Sequence, residues 1–212
     1  MIQKKFNYII LSALMTTHSC VDHKDKTSMN SSYQTSQQGI ENTIKRYKPE
    51  GKESSLKKEL IWTAYKTPNK IAVDGSFKSI SLTNTKDDKS LEEALEGAKF
   101  YCDGTTVTSG DSSRDGTLTL FFFKRLASPD IYGSFGKFEN NKVMITITLD
   151  KKTITKEFTY IFKKNTITIQ GSVDLLKDFD SQRAFTSLHH ACFDLHEGKT
   201  WTEVNLTAII SK

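Results

Sequence analysis

The sequence predicts a mainly β domain of about eight antiparallel strands, closed as a barrel or stacked as a sandwich, with two or three short helices inserted. Three observations predict it. From residue 56 onward apolar residues recur with period two, as where Val143, Ile145, Ile147 and Leu149 alternate with Met144, Thr146 and Thr148. Turn residues separate these runs at short intervals, most plainly Asn140-Asn141, since asparagine tolerates the positive φ of a tight hairpin. The connections are too local for the helical crossovers that parallel strands need.

Residues 60–65 and 71–82 read as strands joined by Thr67-Pro68-Asn69-Lys70, a hairpin turn in which Pro68 sets its own φ. Ser90 and Glu93 form a capping box that opens a short helix stopped at Gly97, and 99–103 returns to an extended run. Residues 114–126 fit both periods. Leu118, Phe122 and Leu126 share a helical face while 117–123 has strand composition, and the wider spacing favours a short helix. Residues 131–138, 143–149, 154–162 and 167–175 continue as a meander through Asn140-Asn141 and Lys163-Lys164-Asn165, with Gly133 and Gly136 marking a bend or bulge. In the third of these runs Ile154, Phe158, Tyr160 and Phe162 share a face. Ser181 opens the strongest helix, with Ala184, Phe185, Leu188, Ala191, Cys192 and Leu195 at core-facing spacing and Gly198 as the stop. Residues 201–210 are the last strand.

The chain has 212 residues, three cysteines and 36% apolar residues, a composition that excludes a collagen, a coiled coil and a disulfide knot. Its formal charge of +5 is unevenly spread: residues 1–55 hold 8 basic and 5 acidic side chains, leaving 22 and 20 for residues 56–212. The part that folds is nearly neutral, whereas a nucleic-acid binder concentrates Lys and Arg there to release phosphate counterions. No nucleic-acid partner is expected.

Lys4 and Lys5 precede an apolar run at 6–15, too short to span a bilayer and suited to the core of an export signal at 1–19. Thr17-His18-Ser19-Cys20 resembles the lipobox at which bacterial lipoproteins are cleaved and acylated, although Thr17 and His18 depart from its usual aliphatic and small residues. Acylated Cys20 is thus expected to be the first mature residue and the membrane anchor, the alternative being ordinary signal cleavage near Ser19 that leaves Cys20 unmodified. Residues 20–55 are rich in Ser, Thr, Gln, Asn and Lys without apolar period, the composition of a polar tether. Residues 56–212 are then the domain.

Five segments carry a resemblance: Ile61-Trp62-Thr63-Ala64-Tyr65-Lys66-Thr67; Val73-Asp74-Gly75-Ser76-Phe77; Ser90-Leu91-Glu92-Glu93-Ala94-Leu95-Glu96-Gly97-Ala98; Arg114-Asp115; and Cys192-Phe193-Asp194-Leu195-His196-Glu197-Gly198-Lys199-Thr200-Trp201-Thr202-Glu203-Val204. In this order they resemble the YceI-like family of exported bacterial proteins, over residues 58–212. The resemblance implies an antiparallel eight-stranded lipocalin-like β-barrel whose interior holds a polyisoprenoid or another long-chain lipid. It implies no cofactor and no catalytic motif. The better-known branch has a Trp-Asp-His-Ser series where this chain has Trp62-Thr63-Ala64-Tyr65, so the ligand itself does not transfer.

Such a barrel is wide enough either to be filled by side chains or to hold one slender ligand. Trp62, Phe77, Phe122, Ile145, Phe158, Phe162 and Ile169 are the candidate ligand-binding residues, and each also serves as ordinary core. Trp62 and Trp201 are read chiefly as anchors of the barrel. For an enzyme, the G-x-S-x-G elbow, the phosphate-cradling glycine loop and H-E-x-x-H are all missing. A metal alternative rests on His189, Cys192 and His196, spaced along one helical flank with imidazole and thiol ligands suited to zinc or copper. With Cys20 acylated, Cys102 and Cys192 are left either to pair as a disulfide or to stand as separate buried thiols. The expected function is an exported periplasmic or envelope lipoprotein that holds an apolar ligand without chemistry. The alternatives are the metal-binding protein and a filled barrel with a structural or stress-related role.

Overall fold

The computed structural model describes residues 46–47 and 49–212. The export signal, Cys20 and the tether as far as residue 45 lie outside the described residues. In chain order the elements are β1 (Lys57–Lys66), β2 (Ile71–Phe77), β3 (Ile80–Thr83), α1 (Leu91–Leu95), β4 (Lys99–Asp103), β5 (Val107–Thr108), α2 (Ser112–Phe121), β6 (Asp130–Glu139), β7 (Lys142–Leu149), β8 (Lys152–Lys163), β9 (Thr166–Asp174), α3 (Gln182–Ala191) and β10 (Thr200–Ser211). No helix among the described residues is long and apolar enough to cross a membrane.

The protein is mainly β, with ten strands in one curled antiparallel sheet ordered β3-β4-β6-β7-β8-β9-β10-β1-β2-β5. Eight strands were expected, and the difference has two sources. The run 71–82 breaks at Lys78-Ser79 into β2 and β3, and the two-residue β5 pairs with the end of β2 through Ser76 opposite Thr108 and Phe77 opposite Val107. The broken strand follows one edge of the chain that leads into β1. Trp62 opposes Gly75, and farther back Glu53 bridges to Thr83 with the register offset at the break. There Ser54 N–H donates to the Leu82 carbonyl at 2.8 Å, and Leu82 N–H donates to the Glu53 carboxylate at 3.2 Å. Residues 53–55, expected in the tether, are thus pinned to the sheet where its curl comes round.

Asp87 secures this seam by accepting hydrogen bonds from the Ser54 and Ser55 hydroxyls and from Ser55 N–H. The Thr85 hydroxyl, followed by these Ser55 and Ser54 donors, pulls its carboxyl down to about 2. Because the folded pKa is depressed, the stabilisation is complete above the ordinary aspartate range and is lost as pH falls through about 2. The protection of the Ser54, Ser55 and Leu82 amides, taken relative to their intrinsic exchange at each pH, is therefore expected to fall between about pH 4 and pH 2 in the wild type. In Asp87→Asn the exchange should already be fast at pH 5, and equal protection in the two proteins would remove Asp87 from the seam.

A second clasp holds the start of the described chain. Arg46 Nε donates to Asp130 at 2.6 Å, Tyr47 N–H donates to its other oxygen at 2.7 Å, and Tyr101 OH donates at 3.0 Å to the Arg46-bound oxygen. The Tyr47 ring stacks on Tyr132 with centroids 4.0 Å apart.

Local rules account for most boundaries. Ser90 and Glu93 make the capping box on α1 in both directions. Asn140 and Asn141 both take positive φ, 53° and 60°, in the β6–β7 turn. The Asp111 side chain accepts from Ser113 and Arg114 N–H, so α2 starts ahead of the expected 114 and ends at Phe121, with a 3-10 turn at Phe123–Arg125. Gly133 sits where β6 crosses closely over β7: a Cβ there would lie 1.9 Å from the Thr146 carbonyl oxygen. The register then slips between Phe135 and Phe138, the bulge expected near Gly133 and Gly136.

Candidate ligand cavity

Alternate residues of a curled strand point into the curl, so strand parity decides which side chains meet there. On β1 the inward set is Lys58, Leu60, Trp62, Ala64 and Lys66, and on β10 it includes Val204, Leu206, Ala208 and Ile210. With inward residues from the other strands they enclose a cavity of about 450 Å³. Ligand pockets usually hold about 300–1,000 Å³. Helices α2 and α3 roof one end through Leu118, Phe185 and Leu188. The space exists partly because Ala64 and Ala208 stand where the wall elsewhere carries Leu, Ile, Phe or Trp.

Trp62, Phe77, Phe122, Ile145, Phe158 and Ile169 all line this cavity, none more than 8% exposed. Phe162 does not. It has the inward parity of Phe158, but β7 begins opposite Thr159, so Phe162 lies beyond the covered part of β8 and is 48% exposed. Trp62 anchors as well as lines, since its indole N–H donates to the Ser76 carbonyl at 3.2 Å. Trp201 donates to the Thr67 carbonyl at 2.9 Å, and Lys70 and Lys199 lie over its ring.

Of the two readings of Cys102 and Cys192, the structure has the separate buried thiols and not the disulfide: both are free and buried. Cys102 is walled into β4 between Ile80 and Ile131, whereas Cys192 follows the end of α3. Burial alone pushes the Cys102 thiol up to about 12, which makes it a poor nucleophile. The single helical flank on which the metal alternative rests is not formed. Helix α3 stops at Ala191 and the chain turns through a 3-10 segment at Asp194–His196, so His196 leaves the flank of His189. The two imidazoles instead share the Thr200 hydroxyl, His189 Nδ1 at 3.1 Å and His196 Nδ1 at 2.9 Å. Among the described residues no three His, Cys, Asp or Glu side chains are grouped to hold a metal ion.

The same helix end moves Leu195, expected on the core face, to the mouth of the cavity, where it lines the opening and is 76% exposed. Lys66 was missed as a lining residue, although it follows Leu60, Trp62 and Ala64 at the same parity. Its charge, together with burial, which acts first, holds the His196 imidazole below the usual histidine range.

No family model matches the sequence, and no curated protein does. Among solved structures, the polyisoprenoid binding domain from Saccharophagus degradans aligns with a TM-score of 0.52 at 12% identity, covering 72% of this chain and 91% of that one. BcnA of Burkholderia cenocepacia aligns at 0.49 and 16% identity over 73% and 96%. A YceI protein of Campylobacter jejuni aligns at 0.44 and 17% over 64% and 81%. With its curled antiparallel sheet and inserted helices, the chain shares the fold of the Saccharophagus domain.

Proposed function

We propose that the protein is an exported, membrane-tethered carrier that holds a polyisoprenoid or similar long amphiphile inside its sheet and performs no chemistry on it. The observation that carries this reading is the apolar cavity of about 450 Å³. At about 25 cal/mol per Å² of buried apolar area, a single extended chain is drawn in without any specific polar contact. The same cavity argues against a filled barrel. The Saccharophagus domain of like fold, described as polyisoprenoid binding, supports the ligand class. Export and acylation of Cys20 rest on the sequence alone, on the apolar run at 6–15 and the lipobox-like Thr17-His18-Ser19-Cys20.

Mass spectrometry of an organic extract tests the carrier, using protein expressed in its own envelope and purified folded. A stoichiometric isoprenoid or fatty chain is expected. An empty extract, with no thermal shift on adding such lipids, would favour the filled barrel instead.

A further inference from the structure

Three cations line the cavity, and two are satisfied by the protein. Lys58 pairs with Glu53 at 2.5 Å, and Arg114 donates to the Ser109 hydroxyl at 2.8 Å and the Ser109 carbonyl at 2.9 Å. Lys66 differs. Among the described residues no carboxylate lies within 4.0 Å of its ammonium and no acceptor is hydrogen-bonded to it, although it is half-buried on an apolar wall. A cation so placed lacks part of its hydration and is stabilised by any anion that reaches it.

Its surroundings are suited to an anion. Thr200 is its cross-strand partner, and the Thr200 hydroxyl joins the imidazoles of His189 and His196. The electrostatic influence of Lys66 reaches both Cys192 and His196. The acidic residues of the adjoining segment, Asp194 and Glu197, are exposed, and Glu203 is engaged by Lys70 at 3.0 Å. Lys66, Thr200, Cys192 and His196 line the cavity close in sequence to Leu195 at the mouth, while Leu60, Trp62, Ala64, Leu206 and Ala208 form an apolar stretch of wall between Lys66 and Lys58. The cavity thus offers, beside hydrogen-bond donors, one cation without a partner among the described residues, while its other two cations, Lys58 and Arg114, are already engaged by the protein.

Building on the carrier reading, we infer that the cavity is selective for amphiphiles with an anionic head, a phosphate or carboxylate that pairs with Lys66 beneath α3 while the tail runs into the sheet. Charge-assisted hydrogen bonds are roughly twice as strong as neutral ones, and weaken on exposure to salt.

Calorimetric titration of the folded full chain with farnesyl phosphate, farnesol and inorganic phosphate tests this. Farnesyl phosphate is expected to bind about tenfold more tightly than farnesol, and inorganic phosphate not to bind measurably. In Lys66→Gln the ratio of the two farnesyl affinities should fall to near one, and in Lys66→Arg the preference should return. Equal binding of the two farnesyl probes by the wild type would overturn the head-group inference and leave the carrier standing. Binding of neither would overturn the carrier and the inference together. Phosphate binding as tightly as farnesyl phosphate would mean an anion site independent of the cavity, also against the inference. A farnesyl preference that survives in Lys66→Gln would take the head-group role away from Lys66.

Discussion

Ala64→Trp is expected to abolish ligand retention while leaving the sheet folded. Ala64 faces the cavity between Trp62 and Lys66, opposite Val204 of β10. An indole at that position occupies space now free, so it need not force backbone apart as an insertion into a packed core does. If it displaces about four methylenes of a bound chain, each worth about 0.8 kcal/mol, affinity falls by about 3 kcal/mol, more than a hundredfold. The protein should then be recovered without lipid in an organic extract and should show no thermal shift with farnesol. Its own midpoint should move by only a few degrees. Undiminished lipid in the extract of this variant would place the ligand somewhere other than the cavity, whatever the wild-type extract contained.

The second large effect is on stability. At Gly133 even one added carbon meets the Thr146 carbonyl at 1.9 Å and the Phe100 ring at 2.6 Å. The carbonyl belongs to backbone within the β6–β7 ladder and has no rotamer by which to retreat, so Gly133→Ala has to push β6 away from β7. Overpacking of this sort costs about 3 kcal/mol, which lowers the melting temperature of a domain this size by about 6–12 °C. Gly116→Ala is the matched control, because a Cβ there meets nothing within 4 Å and alanine favours the helix. A loss of less than about 2 °C at position 133 would show that the two strands can separate there without cost.

Much of this was legible in the sequence, for reasons that differ by residue. The capping box at Ser90 and the paired asparagines at 140–141 are local signals, each complete within a few residues, and the structure forms both as read. The break at Lys78-Ser79 has no such signal. It contains no Pro or Gly, and it arises because β2 pairs outward with β5 while β3 pairs with β4, a demand set by strands distant in sequence. Cys192 and Leu195 continue the apolar spacing of α3 past the point where its hydrogen bonds stop, which is why the sequence places His196 on the flank of His189. Phe162 shows the limit of parity. Period two tells which face a residue takes but not whether a neighbouring strand reaches far enough to cover it. Lys66 carries no apolar signal at its inward position, so an alternation of apolar residues does not mark it.

The pairing of β1 with β10 has a consequence for how the molecule comes into being. Lys57 lies opposite Ser211, and their two strands run side by side almost to Lys66. Nearly the whole domain must therefore be synthesised before its first strand can meet this neighbour. Meanwhile the β6 to β9 meander can assemble from hairpins as it emerges, since each of those pairings is local. Closure spanning so much chain is entropically late and slow. Until it happens, β1 and β9 are exposed apolar edges open to the wrong partner. The hollow inside the finished sheet is thus the last part of the protein to exist, and its arrival coincides with the removal of those edges.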